Sequence, residues 1–342
     1  MAIDKTDRLL LTYVALVVAG MYGVALVLSW SSLGWGNVIG SYTIGSSATA
    51  FFSTSIAAMF FAFESIYLKA APVPHIRKRM SAPAAWLWVG TAAFIAPVFM
   101  ASFTVMKTLI GMKLGFTWDA AFADLDAAIF GIDPWRITHA VFGGALTKIL
   151  EFFYATWGIA LVMSLPIVAW ANREYTASFV LAMFMTWAVT GLAFAAIFAS
   201  AGPCFAFLFD PELGVRFAPL IERLNGLPNS SIAKTQAYLA STWNPLVAAK
   251  GGGISAFPSV HVAVAVLYVA AAWRRPVLRW ILVAYAVIIW IGSIHFGYHY
   301  AIDGIASAFI AVGCWHASRR IVGVIAARQC RLPPYAVSQP AA

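Results

Sequence analysis

Two of the six histidines in this 342-residue chain stand at the polar ends of one apolar stretch. Phe257-Pro258-Ser259-Val260-His261 opens it, and His299-Tyr300-Ala301-Ile302-Asp303 closes it. Between them the run is broken only by Arg274-Arg275-Pro276 and Arg279. Such a run reads as a helical hairpin that turns on its arginines and brings His299 and Asp303 back to the side of His261. Ionisable groups held at a membrane boundary are costly and point to function. His299 and Asp303, four residues apart, share one face of a helix start. There a carboxylate can take one imidazole N–H, fix the tautomer and leave the other nitrogen free as nucleophile or base. Pro258 and Ser259 suit the beginning of the helix that carries His261. The amides of that start, preceded by the close-approaching backbone of Gly251-Gly252-Gly253, form an anion site. A nucleophile, its orienter, a second imidazole and an anion cradle fit phosphoryl transfer through a phosphohistidine.

The rest of the chain must place these groups in a bilayer. Hydrophobic residues make up 62% of it and charged ones only 10%, far below the roughly 25% of a soluble domain. The net charge of +9 is carried by short clusters between apolar runs, which is membrane topology and excludes a nucleic-acid partner. Cys204, Cys314 and Cys330 have neither paired nor metal-ligand spacing. The first apolar run lacks a small-residue cleavage site and reads as an anchor.

The fold class is therefore all-α, a polytopic bundle of about eight transmembrane helices, expected over 9–30, 47–70, 86–109, 149–170, 177–200, 259–273, 278–296 and 301–324. The sixth is short and starts inside the polar site. Three parts are expected: a two-helix N-terminal segment (1–85), a membrane core (86–325) and a tail (326–342) that is disordered after Arg331. With the N-terminus inside, the inner segments hold 14 of the 22 Lys and Arg residues and only Asp4, Asp7 and Glu174 as acids. Those segments are the N-terminus, Lys69–Arg79, Asn172-Arg173-Glu174, Arg274–Arg279 and the tail. The positive-inside rule then puts both termini in the cytoplasm and the histidines on the extracytoplasmic side. A compact, Ala-rich chain of this kind is expected in a bacterial inner membrane.

Two outer segments are long, as functional loops are. In 107–148, Trp, Phe and Ile alternate with Asp, which predicts helices lying in the interface. Asp119 and Asp126 are expected as helix caps or as partners of Lys107, Lys113 or Arg136, and not as a metal site. The second, 201–258, contains Gly202-Pro203, Lys250 and Gly253. His295, one turn before His299, is a substrate-facing or structural neighbour, and Tyr154 and Trp157 read as ordinary lining aromatics.

Phe257-Pro258-Ser259-Val260-His261 resembles the Pro-Ser-X-His motif of the type 2 phosphatidic acid phosphatase superfamily. Gly292-Ser293, His299 and Asp303 are similar to its third motif, Ser-Arg-x5-His-x3-Asp. Lys107, Trp118-Asp119, Asp126, Phe130-Gly-Ile-Asp-Pro134 and Ser200-Ala-Gly-Pro203 look more narrowly like the inositol phosphorylceramide synthase-like branch. The resemblance covers about 90–325 and leaves the first two helices outside. It implies a core of six helices without a metal or other cofactor. In that scheme His299 is the nucleophile, Asp303 its partner, and His261 the acid for the leaving oxygen and then the activator of water or an acceptor alcohol. The implied substrate is a phospholipid or polyprenyl phosphate among the membrane lipids. The first motif, Lys-x6-Arg-Pro, is missing, and Gly292-Ser293 replaces Ser-Arg. Lys107, Lys250 and the amides near Ser259 are the expected substitutes for those cations, since phosphoryl charge needs donors.

A proton-coupled transporter using the His/Asp cluster as a relay is the alternative. It calls for inverted repeats and interrupted helix pairs, which the sequence does not show. A non-catalytic scaffold has no use for all three of His261, His299 and Asp303.

Overall fold

A computed structural model describes residues 5–29, 35–171, 175–243 and 249–331. Asp4, Asn172-Arg173-Glu174 and the expected tail from 332 onward lie outside the described residues. Within them the structure is helical, with no strand. The long helices are α1 (Lys5–Ser29), α2 (Trp35–Tyr67), α4 (Pro83–Leu114), α7 (Ala145–Ala171), α8 (Thr176–Ile197), α12 (Pro276–His295) and α13 (Ala301–Arg331). All seven are long and apolar enough to cross a membrane. Many of their large apolar side chains, among them Leu16, Phe51, Trp280 and Phe309, face outward, as lipid contact requires.

Shorter helices cluster by end. At one end lies α3 (Pro72–Met80), with Arg77, Lys78 and Arg79 in its last turn. Its Pro72 at the first helical position and basic last turn are ordinary start and stop signals, although the sequence reading left Lys69–Arg79 as a loop. At the other end lie α5 (Asp119–Phe130), α6 (Pro134–Val141), α9 (Pro211–Asn225) and α10 (Ser231–Ser241), the helices expected in the outer segments. Asp210 caps α9 by accepting the amides of Glu212 and Leu213, and Ser230 caps α10.

The expected eighth span is α11 (Val260–Ala271), only 12 residues long. At 1.5 Å per residue it covers about 18 Å, short of the ~30 Å hydrocarbon core. It need not span alone, because it packs against α8, α12 and α13 with most of its side chains buried. Helices α1 and α2 pack directly on α4, and α2 also packs on α7. At the far end α13 runs unbroken through Arg331, past the expected start of a tail at 326.

Two π-helical turns widen the bundle locally. In α4 the turn covers Thr91–Ile95, where the Ala96 amide reaches back five residues to the Thr91 carbonyl. Pro97 follows directly and has no N–H to continue the α-helical ladder. In α8 the turn covers Val189–Phe194 and includes Gly191. Such turns recur at functional sites.

Candidate active site

His299 precedes the first turn of α13, and every amide of that turn is occupied. Asp303 Oδ2 accepts the Tyr300 amide at 3.0 Å, while Asp126 of α5 accepts the Ala301 amide at 2.6 Å and the Ile302 amide at 3.0 Å. A helix start presents bare N–H groups and a positive dipole end, so two carboxylates fit there. A second carboxylate of α5, Asp119, accepts the amides of Ala201 and Gly202 at 2.7 and 2.8 Å and the Tyr300 hydroxyl at 2.9 Å. Burial pushes both aspartates upward in pKa, and these donors pull them back. The capping expectation thus holds for Asp126, but the helix it caps is 175 positions away. Backbone amides, not Lys107, Lys113 or Arg136, hold both aspartates.

The segment around Gly202 braces the same loop. Ser200 accepts the Ala256 amide through its carbonyl at 2.8 Å and the Phe257 amide through its hydroxyl at 3.0 Å. The Cys204 amide donates to the Gly297 carbonyl. Gly202 has φ +91°, and a Cβ there would lie 2.5 Å from the Tyr298 carbonyl oxygen, so only glycine fits.

These supports fix the chemistry of His299. Its Nδ1 lies 2.8 Å from the Ala256 carbonyl oxygen and 3.3 Å from Asp303 Oδ2. A carbonyl only accepts, so Nδ1 carries the proton and Nε2 keeps its lone pair. The orienter expected from sequence was Asp303 alone; the shorter bond goes to Ala256. Burial pushes the His299 imidazole well below its ordinary pKa, with His261 adding to the effect, which keeps Nε2 unprotonated. Nε2 faces His261 Nδ1 at 3.4 Å.

His261 is the second residue of α11, whose N-cap is Ser259. Trp157 of α7 donates its indole N–H to the His261 carbonyl at 3.0 Å, and its ring lies 4.1 Å from the imidazole. Tyr154 stacks on the other neighbours, 5.4 Å from the His261 ring and 5.9 Å from Tyr298. Both aromatics line the cavity beside the histidines, as expected of lining residues; their contact with His261 was not foreseen. Gly292 makes room for Tyr154, since a Cβ at 292 would sit 2.7 Å from its ring. Ser293, where the superfamily motif has arginine, is fully buried and bonds to the Trp290 carbonyl.

His261 and His299 open onto a cavity of about 730 Å³. Its cationic side chains are Lys107 and Lys250. Gly253, at φ +83°, lets the chain lie against α4, where a Cβ would be 3.0 Å from the Thr108 amide and 3.2 Å from Lys107 Cγ. Tyr42 of α2 closes the wall: its hydroxyl accepts the Gly251 amide at 2.8 Å and lies 2.9 Å from Thr104 Oγ1. Ser231, Thr235 and Tyr238 of α10 also line it, with Glu151 of α7 accepting at the start of that helix from Ser230, Ser231 and Ile232. Among the predicted substrate-binding residues, Lys107, Lys250 and Gly253 therefore meet at the cavity. Ser259 is buried as a helix cap. His295 does not line the cavity: it is enclosed by Thr138, Thr147 and the ring of His139, whose Nε2 bonds to the His295 carbonyl.

A family model described as the PAP2 superfamily matches residues 121–317. The chain belongs to this superfamily. The match contains both histidines and Asp303 and leaves out Lys107 and Tyr42. Membership in the superfamily supports a phosphatase-type activity. No curated protein and no solved structure matches the chain.

Proposed function

We propose that the protein is a membrane-embedded lipid phosphatase or phosphotransferase working through a phosphohistidine on His299. The observation that carries this is the pair of imidazoles: His299 with Nδ1 anchored and its unprotonated Nε2 3.4 Å from His261 Nδ1. Burial and Lys107 lower the pKa of His261 and keep it neutral before substrate binds; it takes up a proton when the anionic phosphate binds. The His299 Nε2 lone pair then attacks phosphorus, the bond to the lipid oxygen breaks, and His261 gives that proton to the oxygen. Neutral His261 then takes a proton from water or an alcohol, whose oxygen attacks phosphorus and frees His299. Lys107 supplies positive charge to the phosphoryl oxygens, with Lys250 and the amides after Ser259 beside it. Asp303 acts with Ala256 to hold the tautomer.

The substrate in this reading is a phosphate-bearing membrane lipid, a phospholipid or polyprenyl phosphate, and no cofactor takes part. Residues of the inositol phosphorylceramide synthase-like branch, such as Asp119 and Asp126, support transfer to an acceptor alcohol, and the polar wall of α10 suits one. The basic residues of α3, at the end of α2 away from Tyr42, and those of the Arg274–Arg279 turn, at the end of α11 away from His261, support cytoplasmic termini and an extracytoplasmic site in a bacterial inner membrane.

Detergent-purified protein, given a panel of phospholipids and polyprenyl phosphates with and without a polyol acceptor, tests this. Free phosphate marks a hydrolase; a new lipid formed only with acceptor marks a transferase. His299→Ala is expected to lower turnover by about 10⁴-fold or more. A folded His299→Ala protein that keeps its rate sinks the nucleophile assignment.

A further inference from the structure

A second, almost wholly apolar space adjoins the catalytic cavity. It has a volume of about 250 Å³ and shares Tyr42, Met100, Leu161, Trp187 and Lys250 with the larger one. Small residues on two helices leave it open: Gly45, Ser46 and Thr49 on α2, Ala92 and Ala96 on α4. Large ones close it behind, chiefly Phe99, Met183, Phe184 and Trp187. Of these lining residues, Phe99, Met183 and Trp187 are buried, whereas Val162 on α7 is exposed.

Its position follows from the helix carrying the candidate phosphate-binding lysine. Lys107 and Ala92 are 15 residues apart on α4, about 22 Å at 1.5 Å per residue. That exceeds the ~15 Å thickness of one leaflet's hydrocarbon, half of a ~30 Å core. The space thus starts beside a polar, cationic cavity and descends toward the bilayer interior. The π turn at Thr91–Ile95 lies at its deep end.

We infer that this crevice holds a hydrocarbon chain of the substrate, so that the enzyme is built for a long-chain lipid phosphate rather than a water-soluble ester. The inference rests on the proposed phosphoryl-transfer function. It assigns α2, which lies outside the residues matched to the superfamily, a part in substrate choice. An apolar chain entering it exchanges lipid contact for fixed protein contact, and its gain is orientation: the phosphate is aimed at His299 by the seating of its tail.

Two measurements decide it, both using the full chain. In the first, Ser46→Phe and Ala96→Phe fill the crevice. With a long-chain phosphatidate both variants should raise KM by about tenfold or more, while kcat/KM on its short-chain, water-soluble counterpart stays within about twofold. Equal losses on both, or no loss on either, overturn the inference. In the second, a long-chain phosphatidate carrying a photoactivatable group in its tail is crosslinked to wild type in membranes and the adducts are mapped. Adducts at 45–49, 92–100, 161–165 or 183–187 that vanish in Ala96→Phe support the crevice. Labelling confined to outward side chains such as Leu16 and Trp280 overturns it. Crosslinking needs no turnover, so crevice adducts in a protein that processes no phosphate ester would refute the catalytic reading and leave the lipid site standing.

Discussion

The residues that match the superfamily and the helices that precede them build the two sides of one cavity by different means. On the matched side, His261 and His299 sit at helix starts whose amides are taken by Asp126, Asp303 and Ser259, and two aromatic residues clamp His261. On the preceding side, α2 and α4 contribute one lysine, one tyrosine and a row of small residues facing empty space. The first side is organised to prevent movement of the two imidazoles. The second is organised to leave room. A site that must hold its nucleophile still and yet accept a long flexible ligand needs both, and here the division runs close to the edge of the family match.

That contrast can be broken at its stiff side first. Asp126→Ala strips the acceptor from the Ala301 and Ile302 amides, leaving two buried donors unpaired. We expect a loss of about 3 kcal/mol of stability and a fall in kcat of about 100-fold through a displaced His299. Thermal unfolding in detergent and single-turnover rates check this, with Asp126→Asn restoring part of both. An unchanged kcat would mean that the caps do not position His299.

Lys107→Met tests the open side. Removing a half-buried ammonium should leave stability equal or higher, whereas kcat/KM should drop by about 100-fold if this lysine meets the phosphoryl oxygens. Full activity would reduce α4 to a passive wall. The smallest effect is expected for Tyr42→Phe, which deletes the hydroxyl between Thr104 and the Gly251 amide. A rise in KM of about threefold, near 1 kcal/mol or less, measured on a long-chain substrate, would tie the N-terminal helices to the glycine-rich loop of the cavity. No change would confine their role to apolar contact.

The fold was largely readable from sequence because lipid exposure writes itself as uninterrupted apolar runs, and all eight runs became helices. His261 and His299 were readable for the converse reason: they interrupt such a run, beside Ser259 and Asp303 at helix-start spacing. Asp126 was harder. Its partners are backbone amides, which carry no residue identity, on a helix far along the chain. Tyr42, and the contact of Trp157 with His261, were hidden because an aromatic in a spanning helix looks the same whether it meets lipid, a neighbour or an imidazole. The missing arginine of the third motif was legible as an absence; that Gly292 yields its space to Tyr154 was not.

One arrangement at the site has a bearing on biogenesis. Asp119, Asp126 and Ser200 all precede the loop and helix that they anchor, and His261 precedes His299. A ribosome therefore delivers the socket before the piece that fills it. A chain lacking α13 keeps both histidines but has neither Asp303 nor the Ala301 and Ile302 amides that Asp126 holds, so the proposed catalytic pair is positioned only after that helix has left the insertion machinery and docked.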